Sequence, residues 1–151
     1  MNRTPAETLD DLVRRGSELG QRELNGVLKA AWPLMHGPLF HHDTATLLAL
    51  FKRAGYVSDG APYPTHDLTV YRGEPVASGQ PGISWTTDFQ AARTYAQGYS
   101  TIGNVRVLQA TAPVTSVLAW FTFEDEVVVD PDLLEDFAVK GYMPQFKLSL
   151  G

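Results

Sequence analysis

The stretch Phe123-Glu124-Asp125-Glu126-Val127-Val128-Val129-Asp130-Pro131 sets two glutamates two residues apart, directly before three valines. A β-branched run closed by proline reads as a strand. Strand side chains alternate between faces, so Glu124 and Glu126 are expected on one face, roughly 6–7 Å apart along it, with Asp125 on the other. Carboxylates that close repel, and one can be held protonated by the other. Such an arrangement costs stability, which gives reason to look for a function. The plain structural alternative is a solvated acidic loop leading into a strand.

Two further groups of residues could join them. Arg72 ends the apolar run Leu68-Thr69-Val70-Tyr71 and precedes Gly73. There it could offer a planar fork of donors to a phosphate, while glycine lets a ligand approach the backbone. Ser84 and Thr86 flank Trp85. Alternation puts both hydroxyls on one side and the indole on the other. A surface arginine in a turn and a half-buried strand with polar outer residues are the structural alternatives.

Other chemistries lack their residue patterns. His36, His41, His42 and His66 show no metal-ligand spacing, since adjacent histidines diverge and no Glu-x-x-His or i,i+4 histidine pair exists. Gly79, Gly82 and Gly98 form no phosphate-binding or dinucleotide fingerprint, and no Gly-x-Ser-x-Gly elbow is present. Arg14-Arg15 and Lys52-Arg53 are too short for nucleic-acid patches.

The elements that must position these residues fall into a helical first third and a strand-rich remainder. Thr4 and Glu7 form a capping box with Pro5 at the first helical position, so a helix is expected from Pro5 to Arg15, stopping at Gly16. A second is expected over Gln21 to Ala31, ended by Pro33. A third is capped by Asp43 or Thr44, has Leu47, Leu50, Phe51 and Ala54 at helical spacing, and stops at Gly55. Val57 to Asp67, with Gly60, Pro62 and Pro64, reads as a loop. Strands are expected over 68–72, 82–86, 104–111, 114–120, 126–129 and 136–140. The alanine-rich segment from Asp88 to Ala96 reads as a helix capped by Thr87 or Asp88. Asp130-Pro131-Asp132 reads as the turn that ends the valine strand. A helical block followed by strands with one short helix indicates an α+β fold.

Composition bounds the partners. At 151 residues the chain is expected to be one domain with a sizeable core. Its 44% hydrophobic and 19% charged content is that of an ordinary globular protein. A net charge of −5 argues against nonspecific binding to nucleic acid or an anionic membrane. With no cysteine, there is no disulfide, thiolate zinc, iron–sulfur cluster or cysteine nucleophile. No apolar run reaches the roughly 18–20 residues of a membrane span, and Met1 to Glu7 leads into a mixed charged segment rather than an apolar signal core. The expectation is a cytoplasmic protein, with delivery into another cell left open.

The order Tyr71-Arg72-Gly73, then Ser84-Trp85-Thr86 opening a helix, then Glu124-Asp125-Glu126 before valines resembles the ADP-ribosyltransferase superfamily in its Arg–Ser–Glu class. The resemblance covers about Leu68 to Lys140. Trp85 is a departure, standing where that family has a small residue. The resemblance implies an ADP-ribosyltransferase-like split β-sandwich (66–151, the NAD-binding core) beside a helical lobe (1–60).

It also implies transfer of ADP-ribose from NAD, used as substrate without any metal, to a target protein, the acceptor being an arginine side chain. NAD glycohydrolase activity and a non-catalytic module that keeps the fold are the alternatives. In that frame Glu126 would stabilise the oxocarbenium-like ribose and bind its hydroxyl. Ser84 would hold Glu126, with Thr86 beside it at the cofactor. Arg72 would grip the NAD phosphates and the Gly73 backbone would hold the carboxamide. Glu124 would orient or deprotonate the acceptor. Trp120, Phe121 and Phe123, between Leu118 and Glu124, would form the acceptor-recognition loop.

Overall fold

The computed structural model describes residues 4–34, 43–78 and 82–145. They form four helices, α1 (Pro5–Arg15), α2 (Gln21–Ala31), α3 (Thr44–Ala54) and α4 (Phe89–Gln97), and seven strands. The strands are β1 (Val57–Ser58), β2 (Leu68–Pro75), β3 (Ser84–Thr86), β4 (Val105–Ala112), β5 (Val117–Phe121), β6 (Glu126–Val129) and β7 (Glu135–Met143). The fold is α+β, with parallel and antiparallel strand pairs. No helix among the described residues is long and apolar enough to cross a membrane. The chain divides into two compact units, Met1–Tyr63 with Leu118–Glu124, and Pro64–Val117 with Asp125–Gly151.

The first unit carries α1 to α3. The Thr4 hydroxyl accepts from the Glu7 amide, and Asp43 caps α3 by accepting from the Thr46 amide. Both caps satisfy donors that an α-helix leaves without a partner at its start. α2 gives way to a 3-10 turn, Trp32–Leu34, because Pro33 has no amide hydrogen to continue the ladder. Leu24, Leu28, Leu47, Leu50 and Phe51 are buried, and Trp32 meets Phe51 edge-to-face at 4.8 Å. Asn25 donates to the Ala54 and Tyr56 carbonyls, which ties α2 to the exit from α3. Gly55 holds φ +73°, the left-handed exit a Cβ would oppose.

β1 lies within the expected loop. It is two residues long, too short to show any period, and it exists through parallel pairing of Val57 with Ala119 and Ser58 with Trp120. The strand expected over 114–120 begins instead as a 3-10 turn, Val114–Ser116, after Pro113, and the strand proper runs to Phe121.

The second unit is built on antiparallel strands in the order β6-β3-β2-β4-β7. β2 and β4 pair along their full length, from Leu68↔Ala112 to Pro75↔Val105. Arg72 is therefore inside a strand rather than at its end. α4 is capped by Asp88, whose side chain accepts from the Gln90 amide. It covers one face of β4 through Ala92, Ala96, Val105 and Val107. Leu108, Ala110 and Ala112, of the other parity, are also buried, so the buried face of β4 changes along its length. β7 extends beyond the expected 136–140 and pairs with β4 through two register shifts, with Asp136 at φ +56°. The Asp130 side chain caps the turn Pro131–Leu133 by accepting from the Asp132 amide.

Candidate functional site

β3 and β6 bring the hydroxyl and carboxylate together. Their register sets Thr86 opposite Glu126 and Ser84 opposite Val128, so Ser84, Thr86 and Glu126 share one face. Trp85 and Val127 oppose each other on the other face, where both are buried. Ser84 Oγ donates to Glu126 Oε2 over 2.6 Å, the length of a charge-assisted hydrogen bond. Forty-two residues separate the partners in sequence, so the strand pairing alone unites them.

The Trp85 indole takes no room from this pair. It is buried on the opposite face, meets Phe137 at 6.2 Å, and donates from Nε1 to the Gly82 carbonyl over 2.9 Å. The indole therefore does not crowd Ser84.

Arg72 joins the pair where β2 leaves β3. Tyr71↔Thr86 is the ladder position these strands share. The Ile83 carbonyl accepts from the Val129 amide on β6. The next carbonyl, Ser84, therefore points away from β6 toward β2. Arg72 Nη1 donates to it over 2.7 Å, where a continued ladder would have supplied an amide. Behind the guanidinium sits Glu74, 1% exposed, with Oε2 3.7 Å from Arg72 Nε and Oε1 accepting from Arg106 Nη2 at 3.3 Å. Gly82 leaves room for the arginine, since a Cβ there would lie 3.0 Å from Arg72 Nη2.

Gly73 has a packing role. A Cβ on it would lie 2.1 Å from the Ala92 carbonyl oxygen and 2.7 Å from the Ala96 amide nitrogen. Its bare Cα is what lets α4 lie directly on β2. Thr86 works locally too: its hydroxyl accepts from the Asp88 amide at the start of α4.

Tyr95 belongs to this neighbourhood and has no counterpart among the sequence candidates. Although the residue is 51% exposed, desolvation of its hydroxyl pushes it up to about 12, the hydroxyl of Tyr99 adds to the rise, Arg72 opposes it and Glu126 reinforces it. The phenol thus feels both the guanidinium and the carboxylate. Tyr99 donates to the Tyr95 hydroxyl at 3.4 Å, and the rings meet edge-to-face at 5.5 Å. The spacing of four between the two tyrosines was the available signal.

Glu124 does not follow the expected strand. β5 ends at Phe121, the 3-10 turn Thr122–Glu124 follows, and β6 starts only at Glu126. Between them Asp125 adopts φ +51°, a left-handed conformation that aspartate tolerates better than most residues. Strand alternation cannot pass through it, so the pleat does not set the relation of Glu124 to Glu126. The expected recognition loop is also partly strand. Phe121 is 0% exposed, because its parity in β5 turns it into the core with Ala119, and this removes it from any recognition surface. Trp120 is half-buried in the same strand, while Phe123, 92% exposed, projects from the turn.

Among the described residues no group of three or more His, Asp or Glu side chains is placed to hold a metal ion. His36, His41, His42 and Gly79 lie outside the described residues; His66 sits with Nδ1 3.2 Å from the Thr65 hydroxyl. No protein-family model, curated protein or solved structure matches the chain.

Proposed function

We propose that this chain cleaves NAD between the nicotinamide and its ribose and transfers the ADP-ribose to an arginine side chain of a target protein, on an ADP-ribosyltransferase-like split β-sandwich. The observation that carries the reading is the linked set Arg72–Ser84–Glu126: the arginine donates to the serine carbonyl and the serine hydroxyl donates to the glutamate. Three residues spread over 55 positions are locked to one another by two hydrogen bonds. A purely structural strand pair would not need a half-buried carboxylate held this way.

In the proposed reaction the C1′–N1 bond breaks and its electron pair leaves with neutral nicotinamide. Positive charge then develops across C1′ and the ring oxygen. The Glu126 carboxylate stabilises that charge, and the Ser84 hydrogen bond fixes its orientation before the cation forms. Arg72 Nη2, the terminal nitrogen not given to the Ser84 carbonyl, would donate to the diphosphate. A guanidino nitrogen of the acceptor then bonds to C1′ and gives up its proton to Glu124.

The placement of Glu124 in a turn, off the ladder that holds Glu126, favours hydrolysis as the second reading, in which water takes the acceptor's place.

One experiment tests both. Purified chain is incubated with NAD and a chelator, with and without agmatine as a small guanidino acceptor, and nicotinamide and agmatine-linked ADP-ribose are quantified. Glu126→Gln should lower nicotinamide release on the order of a hundredfold while NAD still binds by calorimetry. Glu124→Ala should lose transfer and keep hydrolysis. A wild-type chain that binds NAD and releases no nicotinamide is a binding module, and the enzymatic reading falls.

A further inference from the structure

A carboxylate that no motif announced holds the turn that carries Phe123 and Glu124. Asp59 follows β1 directly, and β1 runs parallel to β5, so Asp59 arrives beside the point where β5 ends. One of its oxygens accepts from the Thr122 amide at 3.1 Å and from the Thr122 hydroxyl at 3.0 Å; the other accepts from the Phe123 amide at 3.0 Å. These are the first two amides of the 3-10 turn Thr122–Glu124, donors left without partners inside so short a turn. An N-cap normally comes from the residue just ahead of the turn. Here it comes from 63 and 64 residues away, across a parallel strand pair.

We propose that Asp59 is a positioning residue for the acceptor step: it caps this turn from the neighbouring strand and so sets the conformation in which Phe123 and Glu124 meet the acceptor. The inference rests on the proposed function. Three observations converge on it. Three hydrogen bonds of the Asp59 side chain go to this turn. The Phe123 amide and, after it, the Thr122 donors hold the Asp59 carboxyl below the usual carboxylate range, so it is ionised at neutral pH. The turn's two forward residues, Phe123 and Glu124, are both exposed and make none of these contacts through their side chains. A turn held by its backbone leaves its side chains available to a partner.

The test compares wild type with Asp59→Ala and Asp59→Asn, using agmatine as the acceptor. Nicotinamide release without acceptor should stay within about twofold of wild type in both, since Glu126 and Ser84 are untouched. Transfer should fall at least about tenfold in Asp59→Ala, mainly as a higher KM for agmatine. Asp59→Asn should be intermediate, because its single carbonyl oxygen can replace only one of the two carboxylate acceptors. Amide exchange at Thr122 and Phe123 should rise selectively in Asp59→Ala. Equal loss of hydrolysis and transfer in Asp59→Ala would make Asp59 a general stabiliser and overturn the inference. Transfer at the wild-type level in Asp59→Ala would overturn it as well, with the proposed function intact. A wild-type chain that releases no nicotinamide overturns that function, and the acceptor role of Asp59 with it.

Discussion

The Ser84 hydroxyl meets the Glu126 carboxylate at 2.6 Å across two short strands. The contact is diagonal, since the residue directly opposite Glu126 is Thr86. A hydrogen bond to a charged group contributes roughly 1.5–3 kcal/mol, and here it also removes rotational freedom from the carboxylate. Ser84→Ala should lower NAD cleavage on the order of tenfold to a hundredfold through kcat, because a misplaced catalytic group is costly. KM for NAD should change little, since Arg72 remains. Ser84→Thr keeps the hydroxyl and should retain most of the rate. Steady-state kinetics on the three proteins decide it; threonine as poor as alanine would dismiss the hydroxyl.

Arg72 has two jobs that a substitution can separate. It bridges to the Ser84 carbonyl, and it faces the buried Glu74. Arg72→Lys keeps the charge against Glu74 but loses the planar fork. NAD affinity should fall on the order of tenfold, while the melting temperature should stay near wild type. Arg72→Ala should lose more affinity and also stability, because the buried Glu74 would lose one of its cationic neighbours. Calorimetry and thermal unfolding measure the two effects. Equal NAD affinity across the three proteins would take Arg72 out of the site.

Much of this arrangement was legible from residue types. The helix caps at Thr4, Asp43 and Asp88, the stops at Gly16 and Gly55, and the strand Glu126–Val129 all follow local rules that no tertiary contact overrides here. Arg72, Ser84 and Glu126 could be singled out by chemistry. What local rules miss is what a partner strand decides. β1 exists through pairing with β5, and nothing in Val57-Ser58 could announce it. Asp59 acts through that same pairing. Glu124 escapes the pattern because alternation does not reveal a left-handed aspartate, and Asp125 interrupts the strand between Glu124 and Glu126. Phe121 lies in a strand rather than in the expected loop because β5 runs one residue beyond position 120.

Tyr95 carries a pH signature. Its hydroxyl is raised to about 12 from the ordinary 10.0, first by desolvation. The folded state therefore holds this proton more tightly than the unfolded chain. The corresponding stability is fully present below the unfolded value of 10.0 and is lost as pH rises toward the folded value near 12. Tyrosinate absorbance followed from about pH 9 to about pH 13 should show a late-titrating phenol in wild type that is missing in Tyr95→Phe. If both proteins titrate alike, the Tyr95 hydroxyl is not raised in the folded protein.

Gly73→Ala tests what keeps α4 on β2. The added methyl would lie 2.1 Å from the Ala92 carbonyl and 2.9 Å from the Ala96 Cβ. No side-chain rotation relieves a contact with helix backbone, so α4 must lift away from the strand. Overpacking of this kind costs about 1–3 kcal/mol and occasionally more, and backbone contact places this position at the upper end. NAD cleavage should fall with it, since α4 carries Tyr95 and Gly73 adjoins Arg72. Gly26→Ala is the control. Gly26 lies inside α2, a Cβ there meets nothing within 4 Å, and the change should stabilise by about 1 kcal/mol. Urea unfolding of the two variants gives opposite signs on this account. A Gly73→Ala protein with an unchanged midpoint would mean that α4 does not press on β2. If that stable variant also lost NAD binding, the glycine would be serving the ligand's approach to the backbone rather than the helix.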